Sequence, residues 1–153
     1  ANTLYPPLGT RGFGPMNAND YGFQNAMEYR TQSDSRLCRF IQIEHKDTID
    51  NLDQIIKNPY IDGYIFGPND LSGSYGMLGN VFSDKITGII RDAIAFLHKN
   101  GKYAGIASGG YSEEVLRHWS GLGADMLTGG ADFDFLRDCA KQNCRTLEKI
   151  HKN

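Results

Sequence analysis

Four times along this chain a short apolar run gives way to a helix-length amphipathic segment. The strand-like runs are residues 37–44, 61–67, 103–108 and 124–130. The segments that follow are 48–57, 84–99, a helix capped by Ser112, and 132–152. Hydrophobic period and local signals agree in each unit. Ile49, Leu52, Ile55 and Ile56 make one stripe, and Asn58-Pro59 ends it. Ser83 can cap the long helix 84–99, whose inward positions are Ile86, Ile89, Ile90, Ala93, Ile94 and Leu97, with Asn100-Gly101 as the stop. Val115, Leu116 and Trp119 form the stripe after Ser112. Alternating strand and helix units specify a parallel sheet, because parallel neighbours need a crossover and a helix supplies it. The expected fold class is therefore α/β, a single domain over 1–153, with strands whose carboxyl ends share one edge. Four units are half of an eightfold barrel. Half a barrel leaves two raw sheet edges and an open core. Three arrangements relieve this: a small doubly wound sheet, pairing with another chain, or a first half lying outside this sequence.

Two of the strand ends carry carboxylates. Ile41-Gln42-Ile43-Glu44 ends in an acid, and Gly67-Pro68-Asn69-Asp70-Leu71-Ser72 follows the next strand. One helix separates them, so Glu44 and Asp70 converge at the edge where such folds place their chemistry. Gln42 and Glu44 are two apart and share a face. In a barrel that face is the interior, where an amide and a carboxylate are costly unless they bind something. Two converging carboxylates repel unless a cation lies between them, and hard divalent ions such as Mg2+ or Mn2+ suit oxygen ligands. The competing reading makes Glu44 a helix-capping residue and Asp70 a turn cap, and spacing alone does not separate the two.

The remaining signals bound the function. Acids and bases are interleaved along the chain and the net charge is -2, which offers no surface for nucleic acid or a membrane. No apolar run approaches the roughly 20 residues of a membrane span. The first residues are not a signal peptide, and the lack of an initiator Met suggests a processed or partial chain. Cys38, Cys139 and Cys144 have neither even count nor metal spacing, so buried reduced thiols in a cytoplasmic protein are expected. Residues 5–15, with three prolines and three glycines, form a shaped loop in which Arg11 either meets an anion or ties the loop down. Residues 17–30 read as an aromatic-rich helix and Ser33-Asp34-Ser35 as a turn. The segment 73–79 reads as a glycine-spaced loop, and no GxGxxG or GKS/T motif supports nucleotide binding.

The motifs YPPLGTRGFGP, IQIE and DGYIFGPNDLSGSYG, followed by strand-terminal Gly-Gly, resemble the HpcH/HpaI family of class II pyruvate aldolases across essentially the whole chain. YPPxGxRGxG, QIE and GPNDLS are specific in combination. The resemblance implies a (β/α)8 TIM-type barrel of which this chain supplies strands five to eight. It also implies a homo-oligomer whose last helix is exchanged between subunits. It places the metal-binding residues at Glu44 and Asp70. Gln42 falls beside the metal and substrate, as a catalytic and substrate-binding residue. The pyruvate carboxylate falls on the backbone of Asn69 and Asp70. The family's catalytic His and substrate-binding Arg belong to the first half of the barrel and have no counterpart here. His45 and Arg11 do not replace them.

The implied activity is carbon–carbon lyase chemistry: metal-dependent aldol cleavage or condensation of 2-oxo-4-hydroxy acids, giving pyruvate and an aldehyde. The implied cofactor is Mg2+ or Mn2+, with Co2+ also compatible with such ligands. The strand ends carry Glu44, Asp70, Ser108 and Gly129 but no lysine, which favours the metal route over a Schiff base. Two alternatives stand beside this. One is a catalytically inactive half-barrel that binds a partner chain or a small acid. The other, an enzyme of related fold acting on acyl-CoA or phosphoenolpyruvate, needs a basic phosphate pocket for which only Arg11 is available.

Overall fold

The computed structural model describes residues 2–151. They fall into two compact units, Ala1–Arg39 and Phe40–Asn153.

In the first unit the proline- and glycine-rich segment is held by its own side chains. The Arg11 guanidinium lies 4.7 Å over the Tyr5 ring, and Tyr5 meets Phe13 edge to face at 5.4 Å. The Arg30 guanidinium donates to the Pro6 carbonyl. Arg11 is thus engaged with Tyr5, a loop-tying role achieved through a ring face rather than backbone carbonyls. The helix expected over 17–30 divides in two. Asn17–Gly22 is a 3-10 segment in which Asp20 and Tyr21 take positive φ, and α1 runs over Ala26–Arg36. The cause is local: the Asn19 amide donates to the Gln24 carbonyl, and Asn25 caps α1 by accepting from the Met27 and Glu28 N–H groups. The turn expected at Ser33-Asp34-Ser35 is instead the last turn of α1. The Ser33 and Ser35 hydroxyls donate to the Arg30 and Gln32 carbonyls, so the helix absorbs their hydrogen bonds.

The second unit contains the sheet. β1 is Phe40–Ile43, β2 Gly63–Phe66, β3 Tyr103–Ile106 and β4 Met126–Leu127. All pairings are parallel, in the order β1-β2-β3-β4. The helical expectation for 48–57 resolves into α2, Lys46–Asp50, and α3, Leu52–Ile55, broken at Asn51. There the Asn51 amide donates to the Asp47 carbonyl, competing with the helix ladder. The glycine-spaced loop begins later than its sequence suggests, because Pro68–Ser74 forms α4. Pro68 occupies the first helical position, where its missing N–H costs nothing. α5, Asp84–Lys99, starts at the Ser83 cap as expected, and Gly101 follows it at φ +67°. α6 is Glu113–Ser120, capped by Ser112. α7 is Asp132–His151; the expected end at Lys152 lies outside the described residues.

One side of the sheet carries the core. Ile43, Tyr64, Phe66, Ala104 and Ile106 pack with Leu52, Leu71, Ile86, Ile90, Ile94, Leu97 and Trp119. The other side bears Phe40, Tyr103 and Met126, which are 40%, 63% and 37% exposed. That is the inner face of a barrel left open in this chain. The three cysteines are all exposed, against the expectation of buried thiols, because Cys38 lies beyond the core-facing part of β1 and α7 buries none of its residues.

At the amino ends of β3 and β4, Asp125 fastens three elements. Its carboxylate accepts the Ala104 N–H at 2.8 Å and faces the His98 Nε2 at 2.8 Å. The Ala104 N–H, with help from His98, holds the Asp125 carboxyl below its ordinary value of 3.8. A depressed carboxyl contributes stability that is complete above its unfolded value and fades as pH falls through the folded one. Asp125→Ala is expected to cost about 1 kcal/mol in urea unfolding at pH 7, a modest figure because solvent screens the half-exposed pair. The gap to the wild type should narrow below the ordinary carboxylate range, and a gap that holds constant into strong acid would refute the assignment.

Candidate active site

The parallel register puts Ile43 beside Phe66, so Glu44 leaves β1 opposite Gly67 as it leaves β2. The Gly67 N–H donates to the Ile43 carbonyl at 3.0 Å and continues the ladder to this point. A methyl group built on Gly67 would lie 2.9 Å from the Glu44 Cγ, 3.0 Å from its Oε1 and 3.1 Å from the Gln42 Nε2. Glu44 and Gln42 therefore share one face, as their spacing requires, and both lean over Gly67. Only a residue without a side chain leaves that space open.

Gly67 is also the N-cap residue of α4, which has no side-chain cap. Asn69 and Asp70 sit in the first turn, where backbone N–H groups have no acceptor within the helix. Both residues are exposed. The strand-to-helix join places Asp70 three residues beyond Gly67, and the Ser72 hydroxyl fixes the turn by donating to the Asn69 carbonyl at 2.7 Å. Across β2 from Glu44, the end of β3 turns through Gly109 at φ +69°, and a methyl group built there would meet the Asn69 Nδ2 at 3.5 Å. The elements thus bring Gln42, Glu44, Gly67, Asn69 and Gly109 to one sheet edge, with Asp70 on the same helix turn.

The capping alternative for Glu44 does not hold in this geometry. The cap of α2 is His45, whose Nδ1 accepts the Asp47 N–H at 3.2 Å. Glu44 is left half-buried with its carboxylate over Gly67. Among the described residues no cluster of three or more His, Cys, Asp or Glu groups is arranged to hold a metal ion. Two carboxylates with an adjacent amide still match the donor set of a hard cation that keeps waters or substrate oxygens in its remaining positions. Sequence reasoning passed over two partners in this edge. Gly67 read only as a strand stop, although it is the space beside Glu44, and Thr128 drew no attention although it anchors Ser108 by accepting its N–H at 3.0 Å.

An all-parallel sheet with helices packed on one face and polar groups gathered at its carboxyl edge defines a (β/α)-barrel chain. Residues 2–134 match the family described as HpcH/HpaI aldolase/citrate lyase, and this chain belongs to that family. It is 34% identical over 139 residues to a hydroxypyruvate/pyruvate aldolase of Deinococcus radiodurans, an alignment covering 91% of this chain and 50% of that protein. A 4-hydroxy-2-oxo-heptane-1,7-dioate aldolase of Escherichia coli is 31% identical over 139 residues, covering 91% of this chain and 52% of its own length. The crystal structure of an HpcH/HpaI aldolase from Desulfitobacterium hafniense superposes with a TM-score of 0.74 at 26% identity, over 95% of this chain and 56% of that one. The chain thus spans about half the length of the curated relatives it matches, and its four units are half of a (β/α)8 barrel.

Gly67→Ala tests the geometry directly. Its backbone φ of -102° tolerates a side chain, so the added methyl acts on Glu44 and Gln42 rather than on the fold. For a divalent ion held by these two side chains in the full-length protein, the affinity would fall about 10-fold to 100-fold, with circular dichroism unchanged. An unaltered affinity would mean that these side chains do not hold the ion.

Proposed function

We propose that this chain is the carboxyl-terminal half of a metal-dependent pyruvate aldolase, a carbon–carbon lyase acting on 2-oxo-4-hydroxy acids. The observation that carries the reading is the packing of Glu44 and Gln42 over Gly67, one strand away from the helix turn that bears Asp70. Family membership and the aldolase relatives support it.

In this reading the Glu44 and Asp70 carboxylates hold Mg2+ or Mn2+, with Co2+ also suited to such oxygen donors. When bound, the ion supplies Lewis acidity, drawing electron density from the keto oxygen of a 2-oxo acid and so acidifying the neighbouring methyl protons. The chain's own groups do the rest of the positioning. The Asn69 and Asp70 N–H groups, at the positive end of α4, bind and orient the substrate carboxylate. The Gln42 amide, on the same face as Glu44, donates to a substrate oxygen and restrains its rotation. Gly67 keeps this space free of a side chain. A Schiff-base route has no lysine at these strand ends.

The proton-transfer base lies outside this chain. His45 caps α2, His98 faces Asp125 at the opposite end of the strands, His118 meets Thr87 of α5 at 3.2 Å, and His151 is the last residue of α7. The other barrel half supplies that base, and its packing covers Phe40, Tyr103 and Met126. Association into a homo-oligomer through α7 accounts for a helix that buries none of its residues while exposing Leu136, Leu147 and Ile150. No helix among the described residues is long and apolar enough to cross a membrane, and a cytoplasmic location fits small 2-oxo acids as substrates.

The test is exchange of the pyruvate methyl protons with deuterium oxide, catalysed by the full-length protein with Mn2+. Glu44→Gln is expected to reduce the rate to below about one hundredth of wild type. Exchange that survives the substitution, or that needs no metal, would overturn the aldolase assignment in favour of a binding half-barrel.

A further inference from the structure

Ser108, at the exit of β3, is 5% exposed and engaged on every side. Its N–H donates to the Thr128 Oγ1 at 3.0 Å. Its hydroxyl lies 2.6 Å from the Gly110 carbonyl and also against the Thr128 carbonyl, so one proton serves two acceptors. Its own carbonyl accepts the indole N–H of the fully buried Trp119 at 3.2 Å. A buried polar group held this way resists displacement, because each broken contact strands a donor or acceptor away from water. The held segment is the Gly109-Gly110 turn. Gly109, at φ +69°, lies beside the Asn69 side chain, where a methyl group built on it would meet the Asn69 Nδ2 at 3.5 Å. Asn69 opens α4, the turn assigned above to the substrate carboxylate.

We propose that Ser108, keyed by Thr128, is a positioning residue for carboxylate binding: it locks the Gly109-Gly110 turn that backs Asn69 and so fixes the start of α4. This rests on the aldolase reading for its functional consequence but not for its structural one. Neither side chain touches substrate in this arrangement. They act through the turn, and sub-ångström placement of Asn69 and Asp70 sets the affinity for a 2-oxo acid. Thr128 is exposed and stands one residue past the end of β4, so it can be altered with little risk to folding.

The experiment compares Thr128→Val, which removes the acceptor for the Ser108 N–H, with Thr128→Ser, which restores it. Both are made in the full-length protein, with amide hydrogen exchange at Leu71 measured beside pyruvate kinetics. Thr128→Val is expected to raise the pyruvate KM about fivefold, the worth of one hydrogen bond, with kcat within about twofold. It should also speed exchange of the Leu71 amide, which donates to the Gly67 carbonyl at 2.9 Å as the first hydrogen bond of α4, while Thr128→Ser stays at wild type in both. Unchanged amide exchange at Leu71 in Thr128→Val overturns the proposal, whether KM rises or only thermal stability falls. A wild type that never exchanges the pyruvate methyl protons overturns the aldolase reading instead, and the amide exchange alone then decides the positioning role.

Discussion

The pairing of β1 with β2 is the constraint from which the site follows. Ile43 and Phe66 are fixed as neighbours by ladder hydrogen bonds and by burial on the core face. A slip of one residue would turn Ile43 and Phe66 outward and send Gln42 and Glu44 into the core. The apolar cost of such a slip holds the register, and the register alone brings the Glu44 carboxylate over Gly67. The hydrophobic core thus acts as the ruler that aligns the polar edge.

The same logic separates the two ends of the strands. At the amino ends, Asp125 and His98 tie loops together and the groups satisfy each other. At the carboxyl ends, Glu44 and Asp70 form no ion pair among the described residues, and the free N–H groups of α4 face the same edge. Stability chemistry is closed and site chemistry is left open. Ser108 bridges the two regimes: it is satisfied within the protein, yet the turn that it holds borders the open edge.

Most of the scaffold was legible in the chain because it rests on periodicity. The Ser83 cap, the stripe from Ile86 to Leu97 and the Gly101 stop give α5 its observed limits without tertiary help. The failures share a cause. Asn51, Asn19 and Asn25 redirect the backbone through side-chain hydrogen bonds, and Ser33 and Ser35 join a helix where a turn was expected. Short polar residues support either outcome, and neighbours choose. Cys38 and the α7 thiols read as buried because cysteine is usually so, but α7 buries none of its residues, although Tyr111 meets it at Phe135 and Asp138.

The sequence by itself determined the alternation of parallel units, the shared face of Gln42 and Glu44, and the family motifs that mark the strand ends. These depend on spacing along one segment, where a period of two or 3.6 fixes direction. Only the tertiary structure decided that Glu44 is free of capping duty, that Gly67 supplies the space beside it, and that Ser108 and Thr128 brace the turn behind Asn69. The last two facts join residues 20 or more positions apart, and their distances are set by packing, which no single stretch of sequence encodes.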